Sequence, residues 1–246
     1  MHRQKRLIAT YPNAGRVLVL LLLLCGFVAA QETTPISALE VKYRKQMFEN
    51  DRLAVFLLEI PPNHATLMHR HDTDMLSIFV SGGETKGTIY GTPPKEDKFA
   101  VGEVRFRPAG FTHSTENVGA DMFRSVILEF RSSMGSMQPT KPSNSHYCNP
   151  GTTTACVDEK YLFCTTRFCA KELSLAPGAI WRNQGHTNDQ MLIAVSNYEL
   201  REKPKRKTAK SLNRKKGEVK YLFGGSSHQW QNANSETARI IVVEFR

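Results

Sequence analysis

The chain has 246 residues, 40% of them hydrophobic, with 33 Lys and Arg against 23 Asp and Glu, for a formal net charge of +10. That size holds one large core or two small ones. The charge is local: four positive residues fall within 1–30, and 201–220 carries ten basic and two acidic residues, so the remainder is near neutral. The basic stretch lacks the interleaved aromatics of a single-strand nucleic-acid binder, and no nucleic-acid partner is expected. It reads as a solvated loop, with contact to an anionic surface as its functional reading.

Taken in order, residues 1–30 open with Arg3, Lys5, Arg6 and Arg16 and no acidic residue. An apolar run over 17–28 follows and closes on Ala29 and Ala30. This is the pattern of a secretory signal peptide. The run is shorter than the roughly 20 apolar residues that a membrane span needs, so an uncleaved anchor is the less favoured reading. Cys25 follows Leu24 rather than a small residue, which argues against a lipoprotein site, and it leaves with the signal. A secreted or periplasmic protein is expected.

After a polar arm over 31–40, Leu53–Ile60 is an apolar, branched run bounded by Asn50-Asp51 and Pro61-Pro62-Asn63, the look of a buried strand between turns. Residues 76–80, 101–106 and 126–130 repeat that pattern, separated by Gly and Pro turns. No stretch shows a sustained helical period. Several short strands between regular turns predict an all-β barrel or sandwich. Residues 132–155 are rich in Ser, Thr, Pro, Gly and Asn and read as a linker. Strands are then expected again over 167–175, 191–195 and 240–245.

Four cysteines remain after the signal: Cys148, Cys156, Cys164 and Cys169. An even number in an exported chain predicts disulfides. Three connectivities are open. A short hairpin over 164–169 would set its two cysteines opposite each other, so 148 with 156 and 164 with 169 is preferred over reduced, merely packed thiols.

An internal repeat organises all of this. Residues 102–117, GEVRFRPAGFTHSTEN, return 115 positions later as 217–232, GEVKYLFGGSSHQWQN. The same offset carries His71 onto His186, Gly110 onto Gly225, His113 onto His228 and Glu129-Phe130-Arg131 onto Glu244-Phe245-Arg246, with no gap. A fixed period marks a duplicated unit, and here it selects two units and two cores.

Within the first unit His69 and His71 are two apart, so on a strand both imidazoles leave one face. His113 lies in the repeated block, where antiparallel pairing brings it across from them. These motifs resemble those of the cupins, a superfamily with a first motif G(X)5HXH(X)3-4E(X)6G and a second G(X)5PXG(X)2H(X)3N. The second is matched in full by Gly102, Pro108, Gly110, His113 and Asn117. The first is matched by His69, His71 and Gly82, with Asn63 for the leading glycine and Met75 for the glutamate. Asparagine tolerates a left-handed backbone, so that change is mild, whereas the loss of the carboxylate ligand is not. The second copy keeps Gly178, His186, Gly217, Gly225, His228 and Asn232, but has Gln184, Gln190, Asn197 and Phe223 at other motif positions.

The resemblance implies a bicupin: a barrel over 31–131, the linker over 132–155 and a barrel over 156–246, both double-stranded jelly-rolls, able to pack on each other as an internal dimer or to form homo-oligomers. It implies one divalent transition metal, Fe, Mn, Ni, Zn or Cu, at His69, His71 and His113, with Met75 at the fourth position. Asp74 has the opposite strand parity and is expected to point outward. In the second barrel Gln184, His186, Gln190, His228 and Trp230 suit a small organic ligand better than a metal, Trp230 also reading as core filling. Oxygenase or isomerase chemistry on a small organic substrate follows by resemblance, with the metal polarising a substrate oxygen or binding dioxygen. A non-catalytic ligand-binding or cell-surface module with vestigial sites is the other reading, favoured by the loss of both glutamates.

Overall fold

The computed structural model of the chain describes residues 35–183, 186–202, 211–225 and 227–246. The signal-peptide reading of 1–30, Gln184 and the centre of the basic loop, 203–210, lie outside the described residues. The first half forms β1 (Ile36–Ser37), β2 (Arg44–Glu49), β3 (Leu53–Ile60), β4 (His69–His71), β5 (Met75–Phe79), β6 (Gly83–Ile89), β7 (Lys95–Phe99), β8 (Val104–Arg107), β9 (Phe111–Asn117) and β10 (Phe123–Phe130). The second forms β11 (Ser145–Cys148), β12 (Cys156–Cys164), β13 (Phe168–Leu175), β14 (Ile180–Asn183), β15 (Gln190–Ala194), β16 (Tyr198–Glu202), β17 (Ser211–Arg214), β18 (Val219–Leu222), β19 (His228–Asn232) and β20 (Ala238–Phe245). β11 arises inside the stretch whose composition reads as linker.

Two five-stranded sheets, β1-β4-β9-β6-β7 and β2-β3-β10-β5-β8, make the first half. A six-stranded sheet, β11-β12-β13-β20-β15-β18, and a four-stranded one, β14-β19-β16-β17, make the second. The halves are all-β, as the turn spacing predicts, and jelly-rolls, as the resemblance implies. Each is a pair of sheets rather than one closed ladder, so these barrels are open at their edges.

The apolar runs are continuous because the inner sheets are buried on both faces. In β3, β10 and β5 one parity, including Val55, Leu57, Ile78 and Leu128, packs against Ala170, Met191, Ile193 and Val243 of the second half in a single core. The other parity turns inward: Ala54, Phe56 and Leu58 register with Glu129, Ile127 and Ser125, and these with Met75, Ser77 and Phe79. The repeat alone selects two cores. The structure instead has a core shared by both halves, with a further cluster inside each. A sheet that is apolar on both sides needs cover on both, and each half covers the other. Pro35–Arg246 is accordingly one compact unit.

The 115-residue offset is also an offset of hydrogen bonds. Asn117 Nδ2 donates to the Ile60 and Asp121 carbonyls at 2.9 and 2.8 Å, and its Oδ1 accepts from Gly119 N at 3.0 Å. Asn232 repeats this with Leu175 O at 2.9 Å, Glu236 O at 2.8 Å and Asn234 N at 3.0 Å. Asn63 adopts φ 59° where the second half has Gly178 at 73°, the left-handed conformation its motif position calls for. The repeated glycines Gly102 and Gly217, at φ 88° and 90°, stand where the halves meet: a Cβ on Gly102 would lie 2.8 Å from Arg239 Nη2, and one on Gly217 3.3 Å from Leu57 Cδ1.

Asp74 corrects an expectation. It points away from the histidines but not to solvent: it is buried, and its carboxylate accepts from Ala109 N at 2.8 Å and Met134 N at 2.7 Å. Its counterpart Asp189 accepts from Gly224 N at 2.7 Å, so this is a turn clamp belonging to the repeat. Parity gave the side correctly. It could not show that a loop folds over that side.

The disulfides join Cys148 to Cys156 and Cys164 to Cys169, each pair directly opposite in the ladder. β12 is thereby tied at its first residue to β11 and at its last to β13.

Candidate metal centre

The site begins with a register. β4 pairs with β9 so that His69 faces His113 and His71 faces Phe111, and all three imidazoles turn to the interior. His69 and His71 are 4% and 2% exposed. One ligand atom from each of His69, His71 and His113 falls within 4.8 Å of the other two. His71 Nε2 and His113 Nε2 are 3.2 Å apart. Two nitrogens bonded to one ion at ~2.0–2.1 Å would stand roughly 3.0–3.4 Å apart, so this spacing fits a shared metal.

The opposite ring nitrogens of His69 and His71 face oxygen acceptors. His69 Nδ1 donates to the Leu67 carbonyl at 2.7 Å, which leaves its Nε2 lone pair free. His71 Nδ1 lies 3.2 Å from Glu129 Oε1, within ion-pair range though off the line of a well-formed hydrogen bond. Glu129 is in turn held by Arg44 Nη2 at 2.8 Å. This is the carboxylate–imidazole arrangement that orients metal-binding histidines and fixes their tautomer. Burial raises the Glu129 carboxyl, but contact with His71 and Arg44 outweighs it and holds the group below the usual range. Burial pushes His69 down to about 4 and His113 down to about 2, with neighbouring histidines adding to the shift. Both are neutral at pH 7, the form that binds metal. The donor set therefore fits a divalent ion.

Met75 lines the same cavity, as its motif position requires. Met75 registers with Glu129 on one side and Arg107 on the other, so the three side chains share the inward face. The chain thus keeps a carboxylate beside the site, one strand over from the missing ligand. The sequence reading left Glu129 and Arg44 out. The signal was present in Glu129-Phe130-Arg131 and its copy Glu244-Phe245-Arg246, a charged residue repeated inside a strand that is otherwise apolar.

Around the histidines is a cavity of about 490 Å³, its lining including Phe79, Phe99 and Phe123 together with Arg44, Arg105 and Arg107. The size suits a small molecule. The second half differs at the same places. Thr66, Thr115 and Thr85 line the cavity, and 115 residues on stand Trp181, Trp230 and Leu200, all in the core cluster of that half. Trp181 and Trp230 are 1% and 4% exposed and face each other across β14 and β19 at 5.5 Å between centroids. The contrast stands in the aligned copies, but its meaning comes from the packing of Trp181, Trp230 and Leu200 in the core cluster.

Of the second-half residues, Trp230 stacks on His228 at 4.8 Å, and His228 Nδ1 lies 3.0 Å from Glu202 Oε1. His186 and His228 have centroids 6.1 Å apart. Gln190 is buried, its Oε1 accepting from Asn183 Nδ2 at 2.7 Å. His186, His228 and Trp230 are brought together, Gln190 is turned to Asn183, and Gln184 lies outside the described residues.

Two comparisons, with protein-family models and with curated proteins, gave no match. Solved structures do match. AerE from Microcystis aeruginosa superposes with a TM-score of 0.57 at 14% identity, over 82% of this chain and 97% of that one. The cupin 2 conserved barrel domain protein from Leptotrichia buccalis gives 0.53 at 13% identity, over 87% and 92%. This chain has the cupin fold, twice over. Oxalate decarboxylase from Bacillus subtilis, a protein with Mn(II) centres, gives 0.52 at 11% identity over 82% of this chain and 74% of its own. At these identities the likeness concerns fold and leaves chemistry to the site.

Proposed function

We propose that this bicupin is a secreted protein that holds one divalent transition metal in its first half, through His69, His71 and His113, and binds a small organic molecule in the cavity beside it. The carrying observation is the pair of Nε2 atoms 3.2 Å apart with the opposing Nδ1 atoms of His69 and His71 turned to Leu67 O and Glu129. The Mn(II) centres of the Bacillus subtilis protein, on the same fold, support a divalent metal in general. Two disulfides support an oxidising compartment, in keeping with the signal-like sequence of 1–30. The metal, when bound, supplies a Lewis acid for an oxygen of the ligand. The chain's own residues do the rest: Glu129 and Arg44 fix His71, and the phenylalanine wall keeps water from one side of the ligand. This supports chemistry of the oxygenase or isomerase type.

A non-catalytic binding module is the second reading. Two observations favour it: Met75 stands where a carboxylate would ligate, and Glu129, held by both Arg44 and His71, is not free to act as a base.

Elemental analysis of the untagged protein beside His113→Ala tests the metal. One ion per chain in the parent and none in the variant is expected. A parent that stays metal-free after incubation with Fe, Mn, Ni, Zn or Cu would rule the metal centre out.

A further inference from the structure

The arginines that line the cavity are not all paired. Arg44 is matched by Glu129. Arg105 is matched by Glu103 at 2.8 Å and Asp97 at 3.4 Å, and lies over Phe99 at 4.3 Å. Arg107 differs. It lines the cavity, its guanidinium is 5.6 Å from the Phe111 ring, and among the described residues it meets no carboxylate. Its counterpart in the filled half is Leu222, at the equivalent register opposite Gln190, inside the apolar cluster. The arginine thus goes with the hollow half. A half-buried guanidinium with no counter-ion, beside a centre that a divalent metal would make more positive still, favours an anionic guest, and the guanidinium fork matches a carboxylate.

The apolar part of the lining, on the same inward face as Arg107, rules against a bare inorganic anion. Phe79 and Phe99 stack at 3.9 Å between centroids, with Phe123 at 5.8 and 5.7 Å from them, and all three line the cavity. Such a surface is satisfied by a flat apolar body rather than by water.

Resting on the reading of this cavity as the ligand site, we infer that its ligand is a small organic carboxylate with a planar apolar body, the carboxylate paired with Arg107 and the body laid against Phe79, Phe99 and Phe123. Arg107 is then a binding residue that selects for charge, and the phenylalanine wall selects for shape.

Calorimetric titration with benzoate, benzamide and inorganic phosphate tests this, on metal-free and Zn(II)-loaded protein, with zinc content measured on the same samples. Benzoate is expected to bind at least tenfold tighter than benzamide in both forms, and tighter than phosphate in the metal-free form. Arg107→Met is expected to erase the preference over benzamide, and Arg107→Lys to keep part of it. Equal affinity for benzoate and benzamide, a preference for phosphate in the metal-free protein, no benzoate binding, or an unchanged preference in Arg107→Met would each overturn the inference. Should Arg107→Met not fold, the parent with its three probes and Arg107→Lys decide. A protein that takes up none of Fe, Mn, Ni, Zn or Cu yet prefers benzoate removes the metal centre and keeps the carboxylate site. One that takes up zinc without that preference does the reverse.

Discussion

At the scale of single residues, the three histidines were legible because a strand alternates its side chains and the downstream block could be matched to a known motif. What surrounds them was not. Glu129 reaches His71 from a different sheet, and no spacing within one strand can announce a contact between two. Its role is open to test. Glu129→Gln keeps the shape of the side chain but removes the charge that orients His71, so metal affinity is expected to fall about 10–100-fold, the usual consequence of losing such a partner. Competition with a chelator measures it, and circular dichroism shows whether the fold is retained. Affinity equal to that of the parent would mean that Glu129 serves Arg44 alone.

The element scale belongs to the turns that close each half. Asn117 and Asn232 share three hydrogen bonds to backbone groups at equivalent positions, one of them to a strand 57 residues away, and Asn232 adds a fourth to the Ala176 carbonyl at 3.3 Å. Asn117→Ala is expected to cost about 3 kcal/mol and Asn232→Ala about 4 kcal/mol, at roughly 1 kcal/mol per hydrogen bond lost. Guanidinium denaturation of the two variants side by side provides the comparison. A loss at Asn232 well below that at Asn117 would show that the second copy has found other support. The motif placed both asparagines in the repeat, but which carbonyls they hold depends on where β3 and β13 end. The disulfides were both read correctly: a separation of five between Cys164 and Cys169 leaves room for little but a hairpin, and Cys148 with Cys156 is the pairing that remains.

The whole molecule is governed by the shared core. Because Val55, Leu57, Ile78 and Leu128 of one half interlock with Met191, Ile193 and Val243 of the other, neither half can unfold without exposing its partner. Calorimetry of Pro35–Arg246 is therefore expected to give one unfolding transition, with calorimetric and van't Hoff enthalpies equal. Leu128→Ala, at the centre of the interface, should lower stability by about 2–5 kcal/mol and leave that transition single. Two resolved peaks in the parent protein would contradict a common core.

The sequence by itself determined the all-β class, the duplication, the turn glycines and the histidine set, since each is a matter of local period or of a fixed offset. It also held the contrast between Thr66 and Trp181, and between Arg107 and Leu222, in plain letters. Only the tertiary structure decided what that contrast means: that one half is hollow and the other filled, that Glu129 stands behind His71, and that the two runs of apolar strands form a common core. Those depend on which faces meet across different sheets, and a one-dimensional pattern gives the parity of a side chain without the identity of what lies opposite it.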